Sequence, residues 1–147
     1  MEIMYINVKD KLNEAGLEYP ALRIFGQRGQ VITIAQWQPK GIIGFERSRG
    51  FFSKEQCHVN KASTFIESTD SANADLVVTP EYSFPWALLK KILLEKSIEI
   101  QYGVLWCLGM EGISYAEFKE FINDCNQESV VVMTEDLKYI SKKNSTL

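Results

Sequence analysis

Glu81 is the residue of this sequence whose surroundings best suit acid–base chemistry. It follows the apolar run 76–79, a predicted short strand covered on both faces, and it precedes a predicted helix that contains Trp86. Functional groups of open α/β sheets gather at the carboxyl ends of the strands. The helix N-terminus favours an ionised carboxylate, whereas partial burial behind Tyr82, Phe84 and Trp86 opposes ionisation. This balance suits a general base; the alternative is that Glu81 only caps or solvates the following helix.

Glu111 is a second acidic candidate, in the segment 109–112 with the sequence GMEG. It also follows a predicted strand, and it is placed to line the same crevice as Glu81. The alternative is a solvated side chain, which is the usual state of a carboxylate in a glycine-flanked loop.

Cysteine occurs three times, at Cys57, Cys107 and Cys125. The odd number and wide spacing predict free thiols, with neither a disulfide framework nor a zinc cluster. Cys107 lies inside a predicted buried strand and Cys125 on the apolar face of a predicted helix, where unreactive thiols are expected. Cys57 adjoins His58, but neighbours on a helix diverge by about 100°, which argues against a Cys/His dyad.

The elements that must position these residues alternate between strands and helices. Apolar runs predict strands at 31–35, 76–79, 98–108 and 130–133, and helical spacing of apolar residues predicts helices at 5–15, 54–67, 86–96 and 118–125. Gly16 is the predicted stop of the first helix, and Ser53, Ser83 and Ser114 are predicted N-caps. The segment 40–50, with three glycines, is predicted to be a loop. This alternation predicts an α/β layer of parallel or mixed strands with helices packed on it.

Composition narrows the class of protein. The chain has 147 residues, 46% of them hydrophobic and 24% charged, which is typical of one globular domain. Its N-terminal segment does not read as a signal peptide and no apolar run approaches membrane-spanning length, so a cytoplasmic protein without membrane association is expected. A net charge of -3 argues against nucleic-acid binding. No glycine-rich phosphate loop is present, and no cofactor is predicted.

Two segments resemble the carbon–nitrogen hydrolase (nitrilase-like) superfamily. The segment 74–83 (ADLVVTPEYS) resembles the stretch in which a strand ending in Pro-Glu presents the family's catalytic glutamate. The segment 34–39 (IAQWQP) resembles the family's first strand, and a predicted helix containing Asn60 lies between the two, as in the family. The segment 106–112 (WCLGMEG) is similar to nitrilase-like domains attached to bacterial reverse transcriptases.

The resemblance implies a site built from Glu, Lys and Cys. In the family the cysteine attacks an amide or nitrile carbon, the glutamate handles the thiol proton, and the lysine stabilises the oxyanion. Glu81 matches the glutamate. Lys142 or Lys143, after the predicted strand 130–133, matches the lysine in order, although both also fit a solvated basic tail. The family's cysteine follows its lysine, and this chain has none beyond Cys125.

The resemblance therefore implies the first half of a nitrilase-like sandwich, with a mixed sheet and helices packed on it. The resemblance covers the chain from about residue 31 onward, so residues 31–147 would form an incomplete hydrolase domain. Residues 1–30, predicted from helical spacing to form an N-terminal amphipathic helix and lead-in, lie outside it. The expected function is a truncated or split hydrolase of non-peptide amides or nitriles, inactive alone. The alternative is a non-catalytic interaction module that keeps the fold. Half of such a sandwich would leave apolar sheet surface uncovered, which implies a protein partner or self-association.

Overall fold

The computed structural model describes residues 7–26, 29–128, 130 and 132, and the chain is a mixed α/β protein. Within this part, a three-stranded parallel sheet and a two-stranded antiparallel hairpin are accompanied by four α-helices. The strands are β1 (Ile34–Gln36), β2 (Ile43–Glu46), β3 (Gly50–Ser53), β4 (Leu76–Val78) and β5 (Leu105–Cys107). The helices are α1 (Val8–Glu14), α2 (His58–Ser71), α3 (Trp86–Leu93) and α4 (Tyr115–Gln127), and a short 3-10 helix covers Arg23–Phe25.

The parallel sheet has the order β1, β4, β5, so the strand that leads to Glu81 lies in its middle. Parallel neighbours need crossover connections. The β2–β3 hairpin and α2 connect β1 to β4, and α3 connects β4 to β5. Val77, at the centre of β4, is fully buried. The predicted parallel α/β layer and the predicted strand at 76–79 are confirmed, except that the strand ends at Val78.

One face of this sheet carries the core. Trp106, which pairs with Val77, packs against a buried cluster from α2, α3 and the segment before α3. The cluster consists of Ala62, Ile66, Phe84, Leu88 and Ile92. Each buried side chain of Leu, Ile or Phe size contributes roughly 1.5–3 kcal/mol. The buried residues of α2 and α3 thus hold both helices against this face.

The opposite face of the sheet, here called the open face, carries two rows of side chains because neighbouring strand residues alternate between faces. The rows are Ile34, Leu76 and Leu105, and Gln36, Val78 and Cys107. The first and last strands contribute exposed side chains to it, and Ile34 is 60% exposed. Within the described residues this face is therefore only partly covered.

The predicted N-terminal helix is confirmed over Val8–Glu14 as α1, but none of these residues is buried, and Tyr5 of the predicted apolar face lies outside the described residues. Asn7 caps its start by accepting a hydrogen bond from the Lys9 backbone N–H at 3.1 Å. Gly16 ends it with a φ of 71°, and the Leu17 N–H donates to the Leu12 carbonyl oxygen at 2.8 Å. This is the helix ending that a glycine favours.

The lead-in after α1 is tied to the amino-terminal end of the sheet by Arg23. Its guanidinium donates to the Ala74 carbonyl oxygen at 2.7 Å and lies 3.4 Å from the Asp75 carboxylate. The Arg23 backbone N–H also donates to the Gly103 carbonyl oxygen at 2.8 Å. The predicted division of the chain at residue 30 stays a prediction.

Two predicted strands are shorter and more exposed than expected. In the segment 31–35, only the last two residues belong to β1, and Val31 is 86% exposed, because β1 pairs on one side with β4. In the segment 98–108, only Leu105–Cys107 forms a strand. A turn at Gly103, with a φ of 81°, interrupts the segment 98–108. A Cβ at Gly103 would come within 2.9 Å of the Ala21 carbonyl oxygen.

The segment predicted to be a loop, 40–50, contains most of a β-hairpin instead. β2 and β3 pair antiparallel around a turn that ends at Gly50, whose φ is 89°. The rings of Phe45 and Phe51 pack across the strands, with centroids 4.9 Å apart. The glycines were correct signals of a turn, but the aromatic residues beside them belong to strands.

Of the two predicted N-cap residues Ser53 and Ser114, one caps a helix and the other does not. Ser53 was predicted to cap a helix over 54–67, but it is the last residue of β3 and α2 begins at His58. Ser53 Oγ accepts a hydrogen bond from the Glu55 N–H at 3.3 Å within the connecting turn. The capping box at Ser114 and Glu117 is present as predicted. Of the predicted strand 130–133, residues 131 and 133 lie outside the described residues, and Val130 and Val132 are not assigned to a strand.

Candidate active site

Glu81 lies on a strained turn at the carboxyl end of the central strand. Tyr82, the next residue, has a φ of 59°, which residues other than glycine rarely adopt. Such strain persists where the surroundings fix the backbone, and it concentrates at functional sites. The ring of Tyr82 packs on Phe51 of the hairpin, with centroids 4.8 Å apart. The turn that carries Glu81 is therefore held from the side of the hairpin.

Gly109 holds the same turn from the side of β5. The backbone N–H groups of Ser83 and Phe84 both donate to the Gly109 carbonyl oxygen at 2.9 Å, and the Gly109 N–H donates to Thr79 Oγ1 at 2.9 Å. A Cβ at Gly109 would overlap the Pro80 carbonyl and lie 2.6 Å from the backbone nitrogen of Glu81. Only glycine allows this approach of the two backbones.

Ser83 does not cap the helix as predicted. Its buried hydroxyl donates to the Pro80 carbonyl oxygen at 2.6 Å and so closes the Glu81 turn. α3 begins after Pro85, whose side chain cannot accept a hydrogen bond. The prediction was wrong because the Ser83 hydroxyl binds the Pro80 carbonyl oxygen and does not accept a hydrogen bond from the N–H groups of α3.

Glu111 supplies the missing cap. Its carboxylate accepts from the Trp86 backbone N–H at 3.2 Å, and its carbonyl oxygen accepts from the Trp86 indole at 2.7 Å. The same carboxylate lies 3.4 Å from the Arg49 guanidinium, and the Glu111 side chain is 14% exposed. The prediction of a solvated loop carboxylate is wrong. Glu111 joins the hairpin to the start of α3, and it is not among the residues that line the crevice beside Glu81.

A crevice of about 150 Å³ lies beside Glu81. It is formed where the segment after β1, the ends of the hairpin, the start of α2 and the Glu81 turn meet. Its charged and polar lining residues are Lys40, Ser53, His58, Glu81 and Ser83. Its apolar lining residues include Pro39, Ile42, Ile43 and Tyr82.

Glu81 lines this crevice while its residue as a whole is exposed. The partial burial expected behind Phe84 and Trp86 is not found. Phe84 is fully buried in the core, and the Trp86 indole is bonded to Glu111. Glu81 is therefore open to water and borders the crevice.

His58, considered from the sequence only as a partner of Cys57, is a further residue of the crevice wall. It is 6% exposed, its ring stacks on Trp37 with centroids 5.4 Å apart, and it lines the crevice. Its Nε2 is buried without a hydrogen-bond partner among the described residues. The signal was present in the helical spacing, because His58 shares one stripe with Ala62 and Ile66, the other buried residues of α2 at intervals of four.

The three cysteines lie apart from the crevice lining. Cys107 was predicted to be buried, but it is exposed, since it ends β5 on the open face. Cys125 is buried on α4, and burial, with a smaller contribution from the Asp124 carboxylate, raises the pKa of its thiol, which disfavours the reactive thiolate. Cys57 is exposed at the cap of α2 while His58 is buried, so the two side chains differ in environment.

The remaining predicted site residues, Lys142 and Lys143, lie outside the described residues. Lys40, to which the resemblance assigns no role, is a lysine that lines the crevice in the described part. Among the described residues, no group of three His, Cys, Asp or Glu side chains is placed to hold a metal ion. The helices of the described part are also too short or too polar to cross a membrane.

Comparisons of the chain with protein-family models, with curated proteins and with solved structures found no match.

Proposed function

We propose that this chain provides the acid–base half of a carbon–nitrogen hydrolase domain that acts on non-peptide amides or nitriles. The observation that carries the proposal is the placement of Glu81, on a strained turn beyond the central parallel strand and at the wall of a crevice. The resemblance of segments 34–39 and 74–83 to the nitrilase-like family supports the same assignment.

The chemistry assigned to Glu81 is to accept the proton of the attacking thiol and then to donate it to the leaving nitrogen. For an amide substrate, the carboxylate takes the proton of an attacking thiol while sulfur forms a bond to the amide carbon. The protonated carboxyl then gives that proton to the leaving nitrogen as the carbon–nitrogen bond breaks, and a thioester remains. Water, deprotonated by the same carboxylate, hydrolyses the thioester and restores the thiol.

The nucleophilic thiol is assigned to a segment outside residues 1–147. Cys125 is buried, Cys57 is exposed at the N-cap position of α2 without a side-chain cap bond, and Cys107 ends a strand on the open face. None of the three lines the crevice. The oxyanion-stabilising ammonium is assigned by the resemblance to Lys142 or Lys143, and Lys40 is a further candidate because it lines the crevice. Without its nucleophile, the constellation loses the covalent pathway, so the chain alone is expected to be inactive.

The second candidate function is a non-catalytic interaction module. The open face favours it, since exposed Ile34 and the half-buried Leu76 and Leu105 beside it form an apolar row that a partner would cover. The two functions differ in what Glu81 contributes. Hydrolysis requires its carboxylate, whereas binding through the open face does not.

The first experiment measures ammonia release by the purified chain from a panel of small amides and nitriles. The wild type is compared with Glu81→Gln, with a triple Cys→Ser variant, and with Glu99→Gln as a control carboxylate outside the crevice. No turnover is expected in any of them. Turnover that disappears in both Glu81→Gln and the triple variant would show that an internal cysteine serves, and the assignment of the nucleophile would be wrong.

A further inference from the structure

The outer edge of β2 carries backbone groups that no strand of the described part pairs with. The hairpin ladder includes a hydrogen bond from the Lys54 N–H to the Ile42 carbonyl oxygen at 2.9 Å. In an antiparallel ladder, hydrogen-bonded pairs alternate with pairs that exchange no hydrogen bond. The N–H and C=O groups of Ile43 and Phe45 therefore point away from β3, and the described residues give them no partner.

This edge also lacks the features that ordinarily prevent strand pairing. Edge strands are usually protected by proline, by lysine or by a covering segment. β2 has the sequence IGFE, and its apolar residues Ile43 and Phe45 are 57% and 62% exposed. The other edge of the hairpin, on β3, is covered, because the Gly112 N–H donates to the Phe51 carbonyl oxygen. The open edge of β2 therefore suits an extended strand as its partner.

The residues of β2 are complementary to a second copy of themselves. In an antiparallel pair of two β2 strands centred on Gly44, Ile43 of each copy lies opposite Phe45 of the other. All the outward N–H and C=O groups of these residues are then paired, and the apolar side chains meet across the strands. Gly44 faces its own copy, with the two Cα atoms about 4.5 Å apart and no side chain between them. Both sides make identical contacts, so the pair closes as a twofold dimer.

Two charged side chains match across the same arrangement. Lys54 and Glu46 form no ion pair with the described residues. A Cβ at Gly44 would meet the Lys54 Cε at 2.6 Å, so the lysine extends over β2 toward its outer edge. In the dimer, Glu46 of the second copy lies opposite Ile42, and its Cα is about 10 Å from that of Lys54, a distance that the two side chains span. The strand pairing therefore brings opposite charges together on both sides of the twofold axis.

We infer that β2 is a docking edge for a second copy of this chain, which adds its own β2 and joins the two hairpins into one sheet. Phe45 of the second copy then lies beside Ile43, which lines the crevice, so each copy extends the crevice wall of the other. The contact is small beside the roughly 800 Å² per partner of a stable interface, and a Kd of roughly 10–200 µM is expected. This inference does not depend on the proposed hydrolase activity.

Amide hydrogen exchange of the full chain, measured by NMR at about 20 µM and about 1 mM, tests the pairing. Exchange at Ile43 and Phe45 is expected to slow at least about threefold at the higher concentration, because their N–H groups are paired only in the dimer. Phe51 is the internal control, since its N–H points to the opposite edge of the hairpin. Association through the open face would leave all three amides unchanged. That result, or a chain that stays monomeric at about 1 mM in sedimentation velocity, would overturn the inference.

Ile43→Lys and Ile42→Lys are a matched pair of variants. Both place a lysine at an exposed isoleucine, but residue 43 faces Phe45 of the second copy, whereas residue 42 faces its Glu46. Ile43→Lys is expected to weaken dimerisation at least about tenfold, and Ile42→Lys should retain it. Sedimentation equilibrium measures the two Kd values, and circular dichroism checks that both variants are folded. Equal Kd values for the two variants would overturn the inference.

Discussion

The backbone of Gly109 packs directly on the Pro80–Glu81 peptide, so the exit of β5 fixes the turn that carries the candidate base. Two N–H groups of that turn donate to the Gly109 carbonyl oxygen, and the Gly109 N–H donates to Thr79. The position of the carboxylate thus depends on a residue that has no side chain and follows a different strand.

Gly109→Ala is expected to destabilise the chain by about 1–3 kcal/mol or more, because its methyl group would overlap the backbone of Pro80. Chemical denaturation measures the change. Gly41→Ala is the control, since a Cβ there would meet Glu55 at an ordinary 3.4 Å, and a change within about 0.5 kcal/mol is expected. Equal stabilities for the two variants would contradict the packing described here.

Glu111→Ala is expected to cost about 1–2 kcal/mol, because it removes the acceptor for the Trp86 N–H at the start of α3. Glu111→Gln keeps an acceptor oxygen and loses the charge interaction with Arg49, so a smaller loss is expected. Thermal unfolding of the two variants measures the difference. Indistinguishable variants would show that the charge of Glu111, and not its hydrogen bond, stabilises the helix start.

Glu117 links the stability of α4 to pH. The Ser114 side chain and then the Ser114 backbone N–H hold the pKa of the Glu117 carboxyl below its ordinary value. A lowered folded-state pKa stabilises the folded state above the ordinary unfolded pKa, and this contribution disappears as the pH falls through the folded-state value. In Ser114→Ala, an NMR titration of the Glu117 carboxyl carbon should give a higher pKa than in wild type. An unchanged midpoint would contradict the capping box.

Ile34→Thr is expected to weaken self-association or partner binding through the open face, without lowering the Tm, because the Ile34 side chain is 60% exposed. Val8→Thr is a matched control, as Val8 is also 60% exposed but lies on α1. Sedimentation velocity over a range of concentrations measures association. Association that is reduced equally by both changes would show that the effect is not specific to the open face.

Features set by short-range sequence signals could be predicted from this sequence. Gly16 ends α1, Ser114 and Glu117 form a capping box, and the apolar run at 76–79 forms the central strand. Each signal acts over a few residues, and the observed structure uses it locally. The position of Glu81 after that strand follows from the same kind of signal.

Features set by contacts between distant segments could not be predicted. Ser83 bonds to Pro80 instead of capping α3, because Glu111, 25 residues from Trp86, takes the capping role. The strand nature of Phe45 and Phe51 depends on their cross-strand contact, whereas the glycines around them suggested only a loop. His58 was considered only as a partner of Cys57, although its spacing placed it on one stripe with Ala62 and Ile66.

We propose Glu81 as the general base for a thiol outside residues 1–147. This assignment is tested most directly by ammonia release from butyramide in a mixture of the full chain and the polypeptide encoded directly downstream of it. We predict release only in the mixture, lowered about 10²–10⁴-fold by Glu81→Gln and unchanged by Glu99→Gln or by the triple Cys→Ser variant of this chain. Release that persists in Glu81→Gln, or that is lost in the triple variant, would contradict the account.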